Sequence, residues 1–345
     1  MTGLRRHVRN LVYKHAGGTA LVLIYHRVAV PERDPQLLAV SPRNFDAQMS
    51  LLAEKHRVVP LSALIDAVRA RKVPDRAVAV TFDDGYADNL LEAAPLLERH
   101  GIPATVFVSS GYVDTQREFW WDEVERLVLG HGTIAPEIAL QVGAGTFSRT
   151  FDAPLHRSTA DAEHDRSWNV LAADTDPRHR LYRDLCSFIR PLSAADRSHA
   201  LEQLSATVTG TPPARATDRP LTSVEVASLD ASPLVAVGAH TVSHPVLSAL
   251  PVAEQRSEIL CDKTSLEAIC GRALATFSYP FGGLSDYTDE TVRIVTDAGF
   301  SGACSNHPGV VKPWTDPYRL PRNLVRDWDA ETFSAKMRGW FDDPR

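Results

Sequence analysis

Residues 77–84 read Ala-Val-Ala-Val-Thr-Phe-Asp-Asp, an apolar run closed by two adjacent carboxylates and then Gly85. A strand with one face in water alternates apolar and polar residues. A run with no such alternation, bounded by charge and glycine, reads as a strand buried on both faces of a parallel sheet. Parallel α/β sheets keep their chemistry at the carboxyl ends of the strands, which is where Asp83 and Asp84 stand. Neighbouring side chains on a strand point opposite ways. The break at Gly85 lets both acids reach one pocket in different roles.

The rest of the chain alternates in the same sense. Leu21–Tyr25, Val58-Val59, Ala104–Val108, Leu234–Val237, Ala273–Tyr279 and Phe300–Cys304 read as strands. Between them, Ser41 and Pro42 supply an N-cap and first turn for a helix to about His56. Ser62 is expected to cap Ala63–Arg71. Ala87–His100 and Asp289–Ala298 end at Gly101 and Gly299, and helices are expected over Ala253–Ile269 and Ala330–Phe341. Such alternation predicts a parallel sheet with helical crossovers. At 345 residues, 44% of them hydrophobic, the chain fits one β/α domain over 1–345.

Residues 115–220 interrupt the pattern. Trp120 and Trp121 lie on the apolar face of a helix, polar sequence follows, and a linker-like stretch ends the segment. The segment is expected to be a largely helical and loop insertion that shapes an acceptor cleft, with Trp121 available to stack on a ring. Removing 135–215 is expected to leave metal binding intact and to abolish activity on a large acceptor.

Two further strand ends carry chemistry. Gly238-Ala-His240-Thr-Val-Ser-His244-Pro follows one strand, and Phe277-Ser-Tyr279-Pro-Phe281-Gly-Gly lies on another. Two histidines and one carboxylate, with positions left open for water, form a common hydrolytic metal site. The proline and paired glycines of the later segment favour a close approach of backbone to ligand.

Together these segments resemble the polysaccharide deacetylase family, metal-dependent carbohydrate esterases with a NodB-type domain. The resemblance rests on Thr81-Phe-Asp-Asp-Gly85, on His240-Thr-Val-Ser-His244 and on Pro280-Phe-Gly282, in that order. It covers roughly residues 20–110 and 222–325. Tyr25-His-Arg-Val28 and Arg319-Leu-Pro-Arg-Asn323 resemble a branch that acts in exopolysaccharide assembly. The resemblance implies a distorted, incomplete (β/α)7 barrel. It implies Asp84, His240 and His244 as ligands of a divalent metal, usually zinc, with cobalt, nickel or manganese as alternatives. It implies Asp83 as the base that activates water and the Phe281 N–H as an oxyanion donor. The reaction it implies is removal of an N-acetyl group from an amino sugar or glycan.

Two departures from the family pattern need replacements. The arginine that orients the base is absent from Leu274-Ala-Thr-Phe-Ser-Tyr279, and Arg322 is proposed as the two-pronged partner of Asp83. The family's late Leu-x-x-His pattern is not evident. The general acid is left open among His26, His307 and Asp83 itself, with Tyr279 and His307 also placed at the substrate.

A net charge of −6 gives no bulk attraction to nucleic acid. Cys186, Cys261, Cys270 and Cys304 have no metal-ligand spacing and fit a reducing compartment. Arg5, Arg6, Arg9 and Lys14, with Leu4, Val8, Leu11 and Val12 at helical spacing, suggest a basic helix in weak contact with anionic lipid. Thr19–Tyr25 is short for a signal peptide, and the expected location is the cytoplasm, at most peripheral to the inner membrane face. Two rival readings stand beside the deacetylase. One is a deformylase or amidase of the same fold acting on a non-sugar amide. The other is a metal-stabilised binding protein without catalysis.

Overall fold

The computed structural model describes residues 18–115, 117–143 and 145–342, so the basic segment at residues 5–14 lies outside the described residues. Seven parallel strands follow one another around a curled sheet: β1 (Ala20–Tyr25), β2 (Ala77–Phe82), β3 (Ala104–Val108), β4 (Val235–Ala239), β5 (Thr276–Ser278), β6 (Gly302–Cys304) and β7 (Asn323–Leu324). Their order is β6-β5-β4-β3-β2-β1-β7, and Arg57–Val58 adds a short strand beside β2. A bridge from Cys304 to Leu320 draws the two ends of the sheet together. The result is the parallel sheet that the alternation predicts, curled into the incomplete barrel that the resemblance implies.

All residues of β1, β2 and β3 are buried, as an apolar run covered on both faces requires. Helices cover the outside: α1 (Pro42–Lys55), α2 (Leu61–Arg69) and α3 (Ala94–His100) in the first half. Ser41 caps α1 by accepting from the Asn44 N–H, and Gly101 closes α3 at φ +63°. The helix α2 starts at Leu61 with Pro60 in the N-cap position, not at a Ser62 cap, and a short π-helical turn over Asn89–Ala93 precedes α3.

The insertion holds more strand than expected. It contains α4 (Trp120–Leu129), α5 (Thr159–His164), α6 (Pro177–Ile189) and α7 (Ala194–Ala206). It also contains a hairpin, Glu137–Val142 with Gly145–Thr150, and a three-stranded antiparallel sheet built on Gly132–Ile134. Ile138, Leu140 and Val142 face inward while Glu137, Ala139 and Gln141 face out, a period of two that marks a half-buried strand. These elements share a second apolar core that also takes in Tyr86, from the loop after β2.

Buried ion pairs fasten this unit to the rim. Arg27 pairs with Asp88 and Asp218, both at 2.9 Å, and Arg33 reaches Glu125 of α4 at 2.8 Å. The second half of the barrel is wrapped by α8 (Ser223–Asp230), α9 (Val252–Cys270), α10 (Asp289–Asp297) and α11 (Ala330–Asp342). All four cysteines are free thiols. No helix among the described residues is long and apolar enough to cross a membrane.

Strands β3, β4 and β5 meet tightly at Gly238, where a Cβ would lie 2.6 Å from the Phe107 ring and 2.8 Å from Thr276 Oγ1. Gly238→Ala is therefore expected to cost about 1–3 kcal/mol through overpacking. Urea unfolding of the two proteins measures it, and an unchanged midpoint would contradict the packing.

Candidate active site

The carboxyl ends of β2, β4 and β5 bring the three motifs together. Asp84 Oδ1 lies 3.3 Å from His244 Nε2 and 3.6 Å from His240 Nε2. All three residues are buried, and one ligand atom from each falls within 4.8 Å of the others. Burial opposes charge on Asp84, but the two imidazoles outweigh it and hold the carboxyl well below its usual range. Burial likewise favours neutral imidazole at His244, down to about 4 against the pull of Asp84. At His240 the nearby Asp83 and Asp84 charges overcome burial and raise the value.

His240 Nδ1 donates to the Ser278 carbonyl at 2.7 Å, which leaves Nε2 as the lone-pair nitrogen facing Asp84. That Nε2 is buried without a hydrogen-bond partner, as is His244 Nδ1. A buried polar atom with no partner costs free energy. A carboxylate and two imidazoles converging around such an atom fit a divalent cation of the zinc type.

The backbone here is strained. Asp84, Thr241, His244 and Phe281 have φ of +75°, +66°, +52° and +59°. Non-glycine residues in this left-handed region each cost of order 1–3 kcal/mol and cluster at functional sites.

Asp83 takes a different partner from its neighbour. Arg322 clamps it with two bonds, Nη1 to Oδ1 at 2.7 Å and Nη2 to Oδ2 at 2.6 Å. The guanidinium is held in turn by the Ser305 carbonyl at 2.7 Å, Ser278 Oγ at 2.8 Å and Thr81 Oγ1 at 3.2 Å. Burial would raise the Asp83 pKa, but the Arg322 charge lowers it below the ordinary value. Arginine can make this two-pronged contact because its guanidinium is a planar fork.

A cleft of ≈ 420 Å³ opens above these groups. Its lining includes Asp83, Asp84, His244, His26, Phe281 and both Trp120 and Trp121. Trp121 donates its N–H to Tyr86 Oη at 2.7 Å and sets its ring against His244, centroids 5.0 Å apart. Phe281 also packs against His244, with centroids 4.7 Å apart. His26 lines the cleft with Nδ1 buried and without a hydrogen-bond partner.

Two expected substrate contacts are corrected. Tyr279 is fully buried, stacks on Tyr287 at 4.0 Å and donates to the Tyr318 carbonyl at 3.0 Å. Side chains alternate along β5, so Ser278 faces Asp83 and Tyr279 must face the core. His307 stands outside the cleft lining. Its Nδ1 meets Ser305 Oγ at 2.8 Å, and its carbonyl accepts the Arg322 N–H at 3.0 Å. It braces the loop that carries Arg322.

Two further residues brace the site. Asp262 of α9 accepts the His240 N–H and the Ser110 N–H, both at 2.8 Å, and its burial pushes its pKa up to about 7. A sequence signal existed: Asp262 falls between Ile259 and Leu266 on the buried stripe of α9, where an acid is out of place. Arg197 of α7 donates to the carbonyls of His244 at 3.0 Å and Ser243 at 2.5 Å. The insertion therefore holds the second histidine in position. Arg197 falls within 135–215, so removing that stretch would also remove this brace on the His244 backbone, and no sequence pattern marks Arg197.

The chain matches the family model described as Polysaccharide deacetylase over residues 70–183 and 202–303. The Bacillus subtilis (strain 168) protein YxkH, whose name places it among polysaccharide deacetylases, is 32% identical over 89 residues. That match covers 25% of this chain and 30% of the relative's length. Streptococcus pyogenes deacetylase PplD, solved in complex with acetate, aligns with a TM-score of 0.58 at 15% identity, covering 93% of this chain and 99% of that one. IcaB from Ammonifex degensii gives 0.58 at 20% identity, covering 95% and 98%. At these identities the structural likeness is one of fold.

Arg322→Ala would leave the Asp83 carboxylate buried without its counter-charge. The expected loss is about 3–5 kcal/mol, read by denaturant unfolding. Arg322→Lys is expected to recover only part of it, because an ammonium cannot make both bonds. Full recovery by lysine would contradict the two-pronged role.

Proposed function

The chain belongs to the polysaccharide deacetylase family, and from that premise we propose that it hydrolyses the acetamide of an N-acetylated amino sugar or glycan with a divalent cation as cofactor. The observation that carries the proposal is the Asp83–Arg322 clamp standing beside Asp84, His240 and His244, with Asp83, Asp84 and His244 lining one cleft.

Asp84, His240 and His244 would hold the cation, with zinc the first expectation from this donor set. When bound, such an ion lowers the pKa of water from about 15.7 towards 7 and polarises an acyl carbonyl. The protein's own groups do the rest. Asp83, kept ionised by Arg322, accepts the proton of the attacking water. Arg322 and Ser278 fix the orientation of that carboxylate. Phe281, which lines the cleft, is assigned the backbone N–H that receives the developing oxyanion. His26, on the cleft wall with a free ring nitrogen, supplies the proton that the leaving amine needs. Asp83 can deliver that proton instead, after taking it from water.

A binding protein stabilised by metal would need the ligand set alone. It would have no use for a second buried carboxylate held charged by an arginine, so that reading has less support. A deformylase or amidase would use the same residues, and only a substrate panel separates it.

Asp83→Asn is expected to lower kcat by about 10²–10⁴ while the bound metal stays at wild-type stoichiometry. His244→Ala is expected to lose the metal and to lower stability as well, because cation binding adds to folding free energy. Acetate release and elemental analysis on purified protein read both. Equal loss of metal in the two variants would contradict the division of roles between Asp83 and Asp84. His26→Gln is expected to lower kcat by about 10²-fold if its ring protonates the amine. An unchanged kcat would hand that role to Asp83.

A further inference from the structure

We propose that the insertion converts the active-site cleft into a pit that admits the end of a sugar chain and excludes its interior units. The inference rests on the deacetylase reading and adds the substrate class to it.

The helix α6 is anchored at two separated places on the barrel rim. At one, Gln36 of the loop after β1 donates to Tyr182 Oη at 2.8 Å, and the Val170 N–H just before α6 donates to the Pro35 carbonyl at 2.9 Å. At the other, Arg190 at the C-terminus of α6 pairs with Asp286 at 2.6 Å and lies 4.2 Å over the Phe281 ring. Asp286 is itself fixed, accepting the Gly283 N–H at 2.9 Å. Tyr182 and Arg190 are eight residues apart, so the span between anchors is about 12 Å at the rise of an α-helix.

In the sheet order, β1 and β5 each lie one strand in from an end of the curled sheet. An element tied to the loops of both therefore bridges the rim. Cys186, Ser187 and Arg190 of this segment line the cleft, as do Asn306 and Leu324 at the ends of β6 and β7. The α6 bridge therefore forms a wall of the cleft where it crosses the rim and closes an exit there. A polymer threading through the site would need two exits, whereas a chain end needs one entrance.

The cleft volume of ≈ 420 Å³ is at the lower end of the range that holds compact ligands.

The test uses the full, metal-loaded chain and a hexamer of N-acetylglucosamine labelled at its reducing end, with the deacetylated positions read by tandem mass spectrometry. The expected result is a preference of at least about tenfold for a terminal unit over an internal one. Arg190→Ala combined with Gln36→Ala releases both anchors and is expected to reduce that preference severalfold, and Arg190→Lys with Gln36 intact to keep most of it. Internal units losing acetate as fast as terminal ones in the wild type would overturn the pit, as would a preference unmoved by the double variant. If no acetate is released from any unit, the reaction assigned above fails and binding decides the pit separately. The hexamer should then bind at least about tenfold more tightly, per sugar unit, than a soluble long-chain partially acetylated glucosamine polymer. Equal affinity per unit would overturn the pit.

Discussion

Two adjacent carboxylates buried at a strand end cannot both stay charged without partners, and the architecture of the rim answers that constraint. Asp83 is met by a guanidinium and Asp84 by two imidazoles. Each partner comes from a different part of the chain: Arg322 from the approach to β7, His240 and His244 from the end of β4. The pairing of β7 with β1, and of β1 with β2, is what brings Arg322, some 240 residues from Asp83 in sequence, into contact with it. The Asp83–Arg322 clamp thus ties the approach to β7 to the end of β2 across β1.

The supports of the site extend outward in order. Ser278 and Asp262 orient His240 from the ring and from the backbone. Arg197 holds the carbonyls next to His244, and Trp121 and Phe281 flank its ring. These contacts keep Asp84, Thr241, His244 and Phe281 in left-handed backbone conformations that the local sequence alone would not choose. The insertion is therefore part of the site's framework as well as its wall.

The sequence made the frame legible wherever local physics decides. Apolar runs such as Ala77–Phe82 became buried strands, Ser41 became the cap of α1, and Gly101 became the left-handed close of α3. The motif residues were legible because acids and histidines are rare at the ends of buried strands. What was missed depends on parity or on distant partners. Tyr279 and Ser278 are neighbours in one motif, and only the pleat decides which of them faces Asp83. The hairpin over 137–150 carries its period of two in plain sight, but the polar sequence around it hid the pattern. Arg197 acts on backbone carbonyls 46 and 47 residues away, an interaction with no pattern to read.

Calorimetric titration of zinc or cobalt into the metal-free chain, with His240→Ala as the control, tests the central claim most directly. The account predicts one ion per wild-type chain, with protons released as the ligands engage, and the loss of that binding in the variant. Binding that survives in His240→Ala, or no binding in the wild type, would contradict the assignment of Asp84, His240 and His244 as a metal centre.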